Sequence, residues 1–191
     1  FSSVFTGTVS FFVSIFTSSA TANRAKIDTI LFRSYQTDDL RRDLFFRRNA
    51  DGTYVFKGSY EQAGNMFSGI VTDEMYLTSA ECKARQNDIA GALNDLNTLL
   101  VTRWRTNRFT PLTASTAQEA LDLILTERRK ELIYRDLRWT DIKRLNKEGS
   151  NINLRRILNN VTYDLPANDP RFALPLPGAI IDFTGMPQNP R

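Results

Sequence analysis

The chain has 191 residues, enough for one core or for one large part of a bigger protein. Hydrophobic residues make up 41% and charged residues 24%, with a net charge of +4. Basic and acidic residues are interleaved, which describes a globular protein and argues against a nucleic-acid binder. The absence of histidine removes His-dependent triads, His-ligated metal sites and histidine acid–base catalysis. The single cysteine, Cys82, excludes an internal disulfide and a Cys-rich metal site.

The chain begins at Phe1 and is expected to be a processed or trimmed piece. Residues 1–23 carry no charge. They lack a basic leading segment and are dense in Ser and Thr, so they fit neither a targeting segment nor a membrane span. Val, Phe, Ile and Thr predict one or two strands or an extended arm, turning at Gly7. From Asn23 the spacing of Ile27, Ile30, Leu31 and Tyr35 predicts a helix. Thr37 and Asp38 read as caps for a second short helix through Leu40, Leu44 and Phe45. Its arginines (Arg41, Arg42, Arg47 and Arg48) alternate with Asp38, Asp39 and Asp43, the pattern of a solvated face or of local ion pairs.

Asn49-Ala-Asp-Gly52 signals a turn before a short strand over 53–57. A glycine- and aromatic-containing loop follows over 58–72. Thr72 or Asp73 can cap a helix from Glu74 to about Gln86, with Leu77, Ala80 and Ala84 on one face; Cys82, among small residues, is expected to be buried. After a break at Asn87-Asp88, a second helix over 89–103 turns Ile89, Ala92, Leu93, Leu96 and Leu100 inward. The pair predicts an antiparallel αα-hairpin the size of one tetratricopeptide-type repeat, with no second clear copy.

A loop over 104–115 contains Pro111. Thr116 and Glu119 then form a capping box for a long patterned run. Leu121, Ile124, Leu125, Leu132, Trp139 and Ile142 share one face, and Leu123, Ile133, Tyr134 and Leu137 a second. A helix apolar on two sides belongs inside a protein. Arg128 and Arg135 fall in the first stripe, and Glu131, three residues after one and four before the other, is spaced to pair with both. A bend is expected near 135–138 and a stop at Gly149, with one more short helix over 151–160. Six of the seven prolines fall within the last 26 residues. The tail over 161–191 is therefore predicted to be extended, tucking in Leu174, Leu176 and Ile180.

The search for chemistry is nearly empty. No phosphate loop, Walker lysine or dinucleotide fingerprint is present, and nothing implies a cofactor or a metal. The carboxylate pairs Asp38/Asp39 and Glu127/Glu131 sit beside arginines, which depress carboxylate pKa values and argue against a general acid. Aromatic rings in loops could instead stack on sugar faces. Trp104 (with Arg103, Arg105 and Asn107 around it) and Tyr60 combine stacking area with hydrogen-bonding capacity, so Trp104, Asn107 and Tyr60 are the candidate ligand contacts. Trp139, on the main apolar stripe, reads as a core anchor.

Several stretches resemble the SusD/RagB family. They are Phe67-Ser-Gly-Ile70 with the helix over 73–85, Ala92-Leu-Asn-Asp-Leu-Asn97, Glu127-Arg-Arg-Lys-Glu-Leu132 followed by Arg138-Trp-Thr-Asp-Ile-Lys-Arg-Leu145, and Leu174-Pro-Leu-Pro177 with Gln188-Asn-Pro190. Tyr35 with Asp39, Leu40 and Arg41 looks like the family's Tyr…Asp-x-Arg element. The resemblance implies a mostly α, tetratricopeptide-like superhelical fold with irregular loops and a few short strands. Over 1–191 it implies one C-terminal region: a strand- and loop-rich segment to 72, the hairpin over 73–104, helices over 116–160 and the tail. It implies a non-catalytic, lipid-anchored protein on the outer membrane that binds a glycan or similar nutrient for a SusC-like TonB-dependent transporter. The anchor and most repeat helices have no counterpart in this chain, Arg135-Asp136 departs from the family's usual acidic-then-small pair, and no ligand residue carries over by motif. A helical interaction scaffold without its own sugar site is the alternative, and a glycoside hydrolase remnant is a third.

Overall fold

The computed structural model describes residues 26–58 and 69–190. The strands expected over 1–20 and the candidate Tyr60 lie outside these residues. The chain divides into two compact units, Phe1–Asp136 and Leu137–Arg191. Helices dominate the described residues, with two short antiparallel hairpins.

In the first unit, helix α1 (Thr29–Arg33) is started by Asp28, whose carboxylate accepts from the Ile30 N–H at 2.9 Å. The helix is too short to sustain the spacing expected over 27–35. Ile30 is 75% exposed, and Phe32 is buried in its place. Helix α2 (Leu40–Phe45) is capped by Asp39 rather than by Thr37 or Asp38. It runs directly into β1 (Phe46–Arg48), which pairs with β2 (Tyr54–Phe56) in the register Phe46↔Phe56. The expected turn joins them, with Gly52 at φ 82° and the Asp51 carboxylate accepting from the Thr53 N–H. Ile27, Phe32, Tyr35, Phe45, Phe46, Phe56 and Ile133 form a buried cluster. Tyr54 stacks on Phe32 at 3.6 Å and Tyr134 on Phe56 at 4.7 Å between ring centroids.

A second core lies among three helices, α3 (Thr72–Arg85), α4 (Ile89–Leu100) and α5 (Ala117–Glu131). Helix α3 packs against both others. Ala80, Ala84, Ala92 and Ala120 are all buried, and their small side chains let the helices approach closely around Leu77, Leu96 and Ile124. Cys82 is exposed, contrary to expectation. At 100° per residue it lies about 200° from Ala80 and from Ala84, on the far side of α3. No side chain caps α3. At the hairpin turn, Asn87 takes a left-handed φ of 62° and the Asp88 carboxylate caps α4 through the Gly91 N–H at 2.9 Å. Ser79 and Lys83 of α3 both donate to Asp95 of α4 at 2.6 Å. A short 3₁₀ turn (Val101–Arg103) ends α4. The capping box is present: Thr116 accepts from the Glu119 N–H, and the Glu119 carboxylate accepts from the Thr116 N–H.

The second unit opens with α6 (Arg138–Lys147), after the break expected near 135–138. Residues 151–160 do not form the predicted helix. Instead β3 (Leu154–Leu158) and β4 (Val161–Leu165) make a hairpin with Leu158 opposite Val161. Asn159 (φ 49°) and Asn160 (φ 61°) form its two-residue turn, and positive φ at both positions is what the right-handed strand twist demands. Trp139, expected as a core anchor, is only half-buried, its ring tilted by 41° against Phe172 at 4.9 Å; Ile142, Leu145 and Phe172 fill the interior of this unit. The tail is not wholly extended, because Gly178–Thr184 forms a short helix, α7. Leu174 and Ile180 remain exposed. Pro175 and Pro177 leave Leu176 with the only N–H among these three residues. Gln188 accepts it at 2.8 Å and donates to the Leu176 carbonyl at 3.0 Å, closing a loop around α7.

Candidate functional site

The ends of α2, α3, α4 and α5 meet at a buried ionic cluster in the first unit. Arg41, 1% exposed, is its hub. Its guanidinium donates to Asp39 at 2.7 and 2.9 Å, to Glu127 at 2.7 Å and to Glu131 at 2.9 Å. Lys130 donates to Glu127 at 2.7 Å, and the Tyr35 hydroxyl donates to the Lys130 carbonyl at 2.7 Å. Burial opposes the charge on Arg41, but the Asp39 hydrogen bonds and the two glutamates outweigh it and raise its pKa; burial likewise pushes the Tyr35 phenol up.

This differs from the local pairing read from the sequence. Glu131 pairs with Arg41 and with Arg103, at 2.7 Å, and not with Arg128 and Arg135. Arg128 comes within 3.9 Å of Glu74, and Arg135 donates to the Gly69 carbonyl. Of the two alternatives for this stretch, a solvated face or local ion pairs, Asp39 and Arg41 take the second: they pair with each other, and both are buried. The helical faces are the reason: the last turn of α5, from Glu127 to Glu131, presents charges inward, and α2 delivers the matching cation. Each carboxylate of the cluster is engaged by a cation, so its chemistry is architectural.

The cluster supports the loop that carries Trp104. Arg103, just before it, reaches from Glu131 to within 3.7 Å of Asp73. The Trp104 backbone is extended and bridges Asp39, and the Arg105 N–H donates to the Asp38 carbonyl at 3.0 Å. Arg105 also pairs with Asp43 at 3.2 Å. A tight turn follows, in which the Arg108 N–H donates to the Arg105 carbonyl and Asn107 sits at φ 61°. The turn carries the chain back so that the Phe109 ring lies 5.8 Å from Trp104, tilted by 55°. Trp104 and Phe109 are half-buried and Asn107 is exposed. Trp104 and Asn107 therefore share one turn. Phe109 is an aromatic neighbour that sequence spacing alone did not single out, because the pairing depends on Asn107 adopting a left-handed backbone. The arrangement can supply apolar ring surface beside an exposed amide and arginines. Among the described residues no group of three His, Cys, Asp or Glu side chains could hold a metal ion, and no helix is long and apolar enough to cross a membrane.

The SusD family model matches residues 47–173, about two thirds of the chain. The chain belongs to the SusD family. Members of this family are in general non-catalytic binding proteins. The match takes in the αα-hairpin, the Trp104 loop and the glutamates of α5, while Tyr35, Asp39, Arg41 and the closed tail loop lie outside it. The fold of this SusD-family chain is similar to that of a SusD-like carbohydrate binding protein from Bacteroides vulgatus ATCC 8482, with TM-score 0.52, 21% identity, and 79% of this chain and 36% of that one covered. A second protein from the same organism aligns with TM-score 0.60 and 23% identity over 84% of this chain and 37% of that one. A SusD superfamily protein from Bacteroides fragilis NCTC 9343 aligns with TM-score 0.50 and 19% identity over 62% of this chain and 29% of that one. The chain thus spans only 29% to 37% of the length of these solved relatives. No curated protein matches it.

Proposed function

We propose that the protein binds a glycan or oligosaccharide nutrient without covalent chemistry and delivers it to a SusC-like TonB-dependent transporter at the outer membrane, held there by a lipid anchor in the full-length protein. The tetratricopeptide-like superhelix of such a protein would present the loops that select the ligand. The observation that carries this reading is the Trp104–Phe109 ring pair beside the exposed Asn107. Apolar ring surface next to a few fixed polar groups is the usual make-up of a small-molecule site. Tyr60 is retained as a contact of the same kind. Glycan-array screening followed by titration calorimetry tests the reading: Trp104→Ala should weaken binding about tenfold or more, the loss of roughly 1.4 kcal/mol, while leaving the melting temperature in place. Undiminished affinity in this variant would remove Trp104 from the site.

The second reading, an interaction scaffold without its own sugar site, is favoured by the exposed apolar side chains of the tail loop, among them Phe183 at 90% exposure. Transporter binding that survives with no glycan bound by the full-length protein would select it.

A further inference from the structure

We infer that Arg103 is a positioning residue: it ties the Trp104 ring to the buried carboxyl pair Asp73–Glu131, so that the setting of the ring follows the charge on that pair. The inference extends the reading of Trp104 as a ligand-stacking residue, but its central test needs no ligand. The connection is short. The Arg103 Nε donates to Glu131 at 2.7 Å, its Nη2 lies 3.7 Å from Asp73, and the next residue along the chain is Trp104 itself. On the other side, Trp104 bridges Asp39, which is fully buried and bound by Arg41.

Asp73 is faced by Arg103 from the 3₁₀ turn and by Glu131 from α5, with Glu74 beside it on α3. Around Glu131, Arg41 reaches in from α2, and Glu127 and Lys130 stand on α5 with Asp39 behind them. Arg128 and Arg135 lie toward Glu74. Burial first, and then the Glu131 carboxylate, push the Asp73 carboxyl up to about 6. When Asp73 holds its proton, Arg103 is left to Glu131. When it loses the proton, Arg103 is shared between two buried carboxylates, of which Glu131 is also held by Arg41, and Arg103 is drawn toward Asp73 with the backbone that carries Trp104.

The chain has two tryptophans and no histidine. In a Trp139→Phe background, fluorescence therefore reports Trp104 alone, with no histidine titrating in the same range. We expect the Trp104 emission and its quenching by acrylamide to change along one titration with a midpoint near pH 6, as about 6 is the value for Asp73. Asp73→Asn and Arg103→Gln should each abolish it, and Arg103→Lys should retain it. The near-isosteric Asp73→Asn guards against loss by misfolding, since it keeps an acceptor for the Glu74 N–H. A flat profile between pH 5 and 7, or a transition that Asp73→Asn leaves intact, would overturn the coupling. Weakened glycan binding by Trp104→Ala with a flat profile would sink the coupling alone, while a titrating ring with no glycan bound would sink the ligand reading alone.

Discussion

Arg41 donates to three carboxylates that come from two parts of the chain, and its removal would leave Lys130 and Arg103 to offset all three in a buried site. Arg41→Ala is expected to destabilise the fold by about 3–5 kcal/mol, the usual penalty for breaking a buried charge network on one side only. Urea denaturation at neutral pH measures it. Asp73 behaves in the opposite sense. Its folded pKa of about 6 lies above the ordinary 3.8. The proton-bound form therefore contributes stability that is complete below about pH 4 and is lost as pH rises through about 6. Asp73→Asn should accordingly raise the urea midpoint over the wild type at pH 7.5, and the gain should vanish at pH 4. A gain that persists unchanged at pH 4 would mean that something other than this titration is responsible. A third residue, Asp136, is exposed at φ 59°, two residues after Tyr134 at φ 56°. Asp136→Gly should stabilise by up to about 1 kcal/mol, because glycine adopts that conformation without a Cβ clash.

Among the elements, the β3–β4 hairpin shows where local pattern reading stopped short. Leu154, Ile157 and Leu158 satisfy a helical spacing, yet these residues are strand, because Asn159-Asn160 is a two-residue turn with positive φ at both positions. The Asn-Asn dipeptide was the available signal, and the 3.6-residue period obscured it. Asn160→Val should cost about 1–2 kcal/mol by forcing a β-branched residue into the left-handed region, and circular dichroism through a thermal melt would register it. Asn160→Gly should be neutral or mildly stabilising. Elsewhere the local rules held in part: the caps expected at Thr37 or Asp38 and at Thr72 or Asp73 are not made. The Thr116/Glu119 capping box and the Asn49–Gly52 turn both use side chains within four residues of the backbone they serve. Such signals survive in a single sequence because both partners lie in the same window.

For the molecule as a whole, what the sequence concealed is long-range. Arg41 meets Glu127 and Glu131 across 86 and 90 residues, and Arg103 meets Glu131 across 28. No periodicity within α2 or α5 names the distant partner, so the arginines over 41–48 read as solvated or locally paired and the glutamates of α5 as paired along their own helix. The mostly helical class, the αα-hairpin and the SusD-like runs were legible, because helical spacing and family motifs are both local. At the site, Trp104 and Asn107 could be named from their loop, whereas Phe109 needed the turn to be built. Residues up to Asp136 hold both the aromatic cluster and the three-helix core. A chain ending there is expected to unfold in one cooperative transition, with coincident midpoints by near- and far-ultraviolet circular dichroism.

The Arg41 network also bears on how the protein responds to heat. Hydration of charged groups becomes less favourable as temperature rises, so the penalty for keeping Arg41, Asp39, Glu127 and Glu131 away from water shrinks on warming while their mutual attraction remains. The network is thus worth more near the melting temperature than at 25 °C. Replacing Arg41 and Lys130 by methionine together with apolar residues at Asp39, Glu127 and Glu131 should leave room-temperature stability nearly unchanged yet lower the melting temperature, flattening the advantage that the charged version holds only when hot.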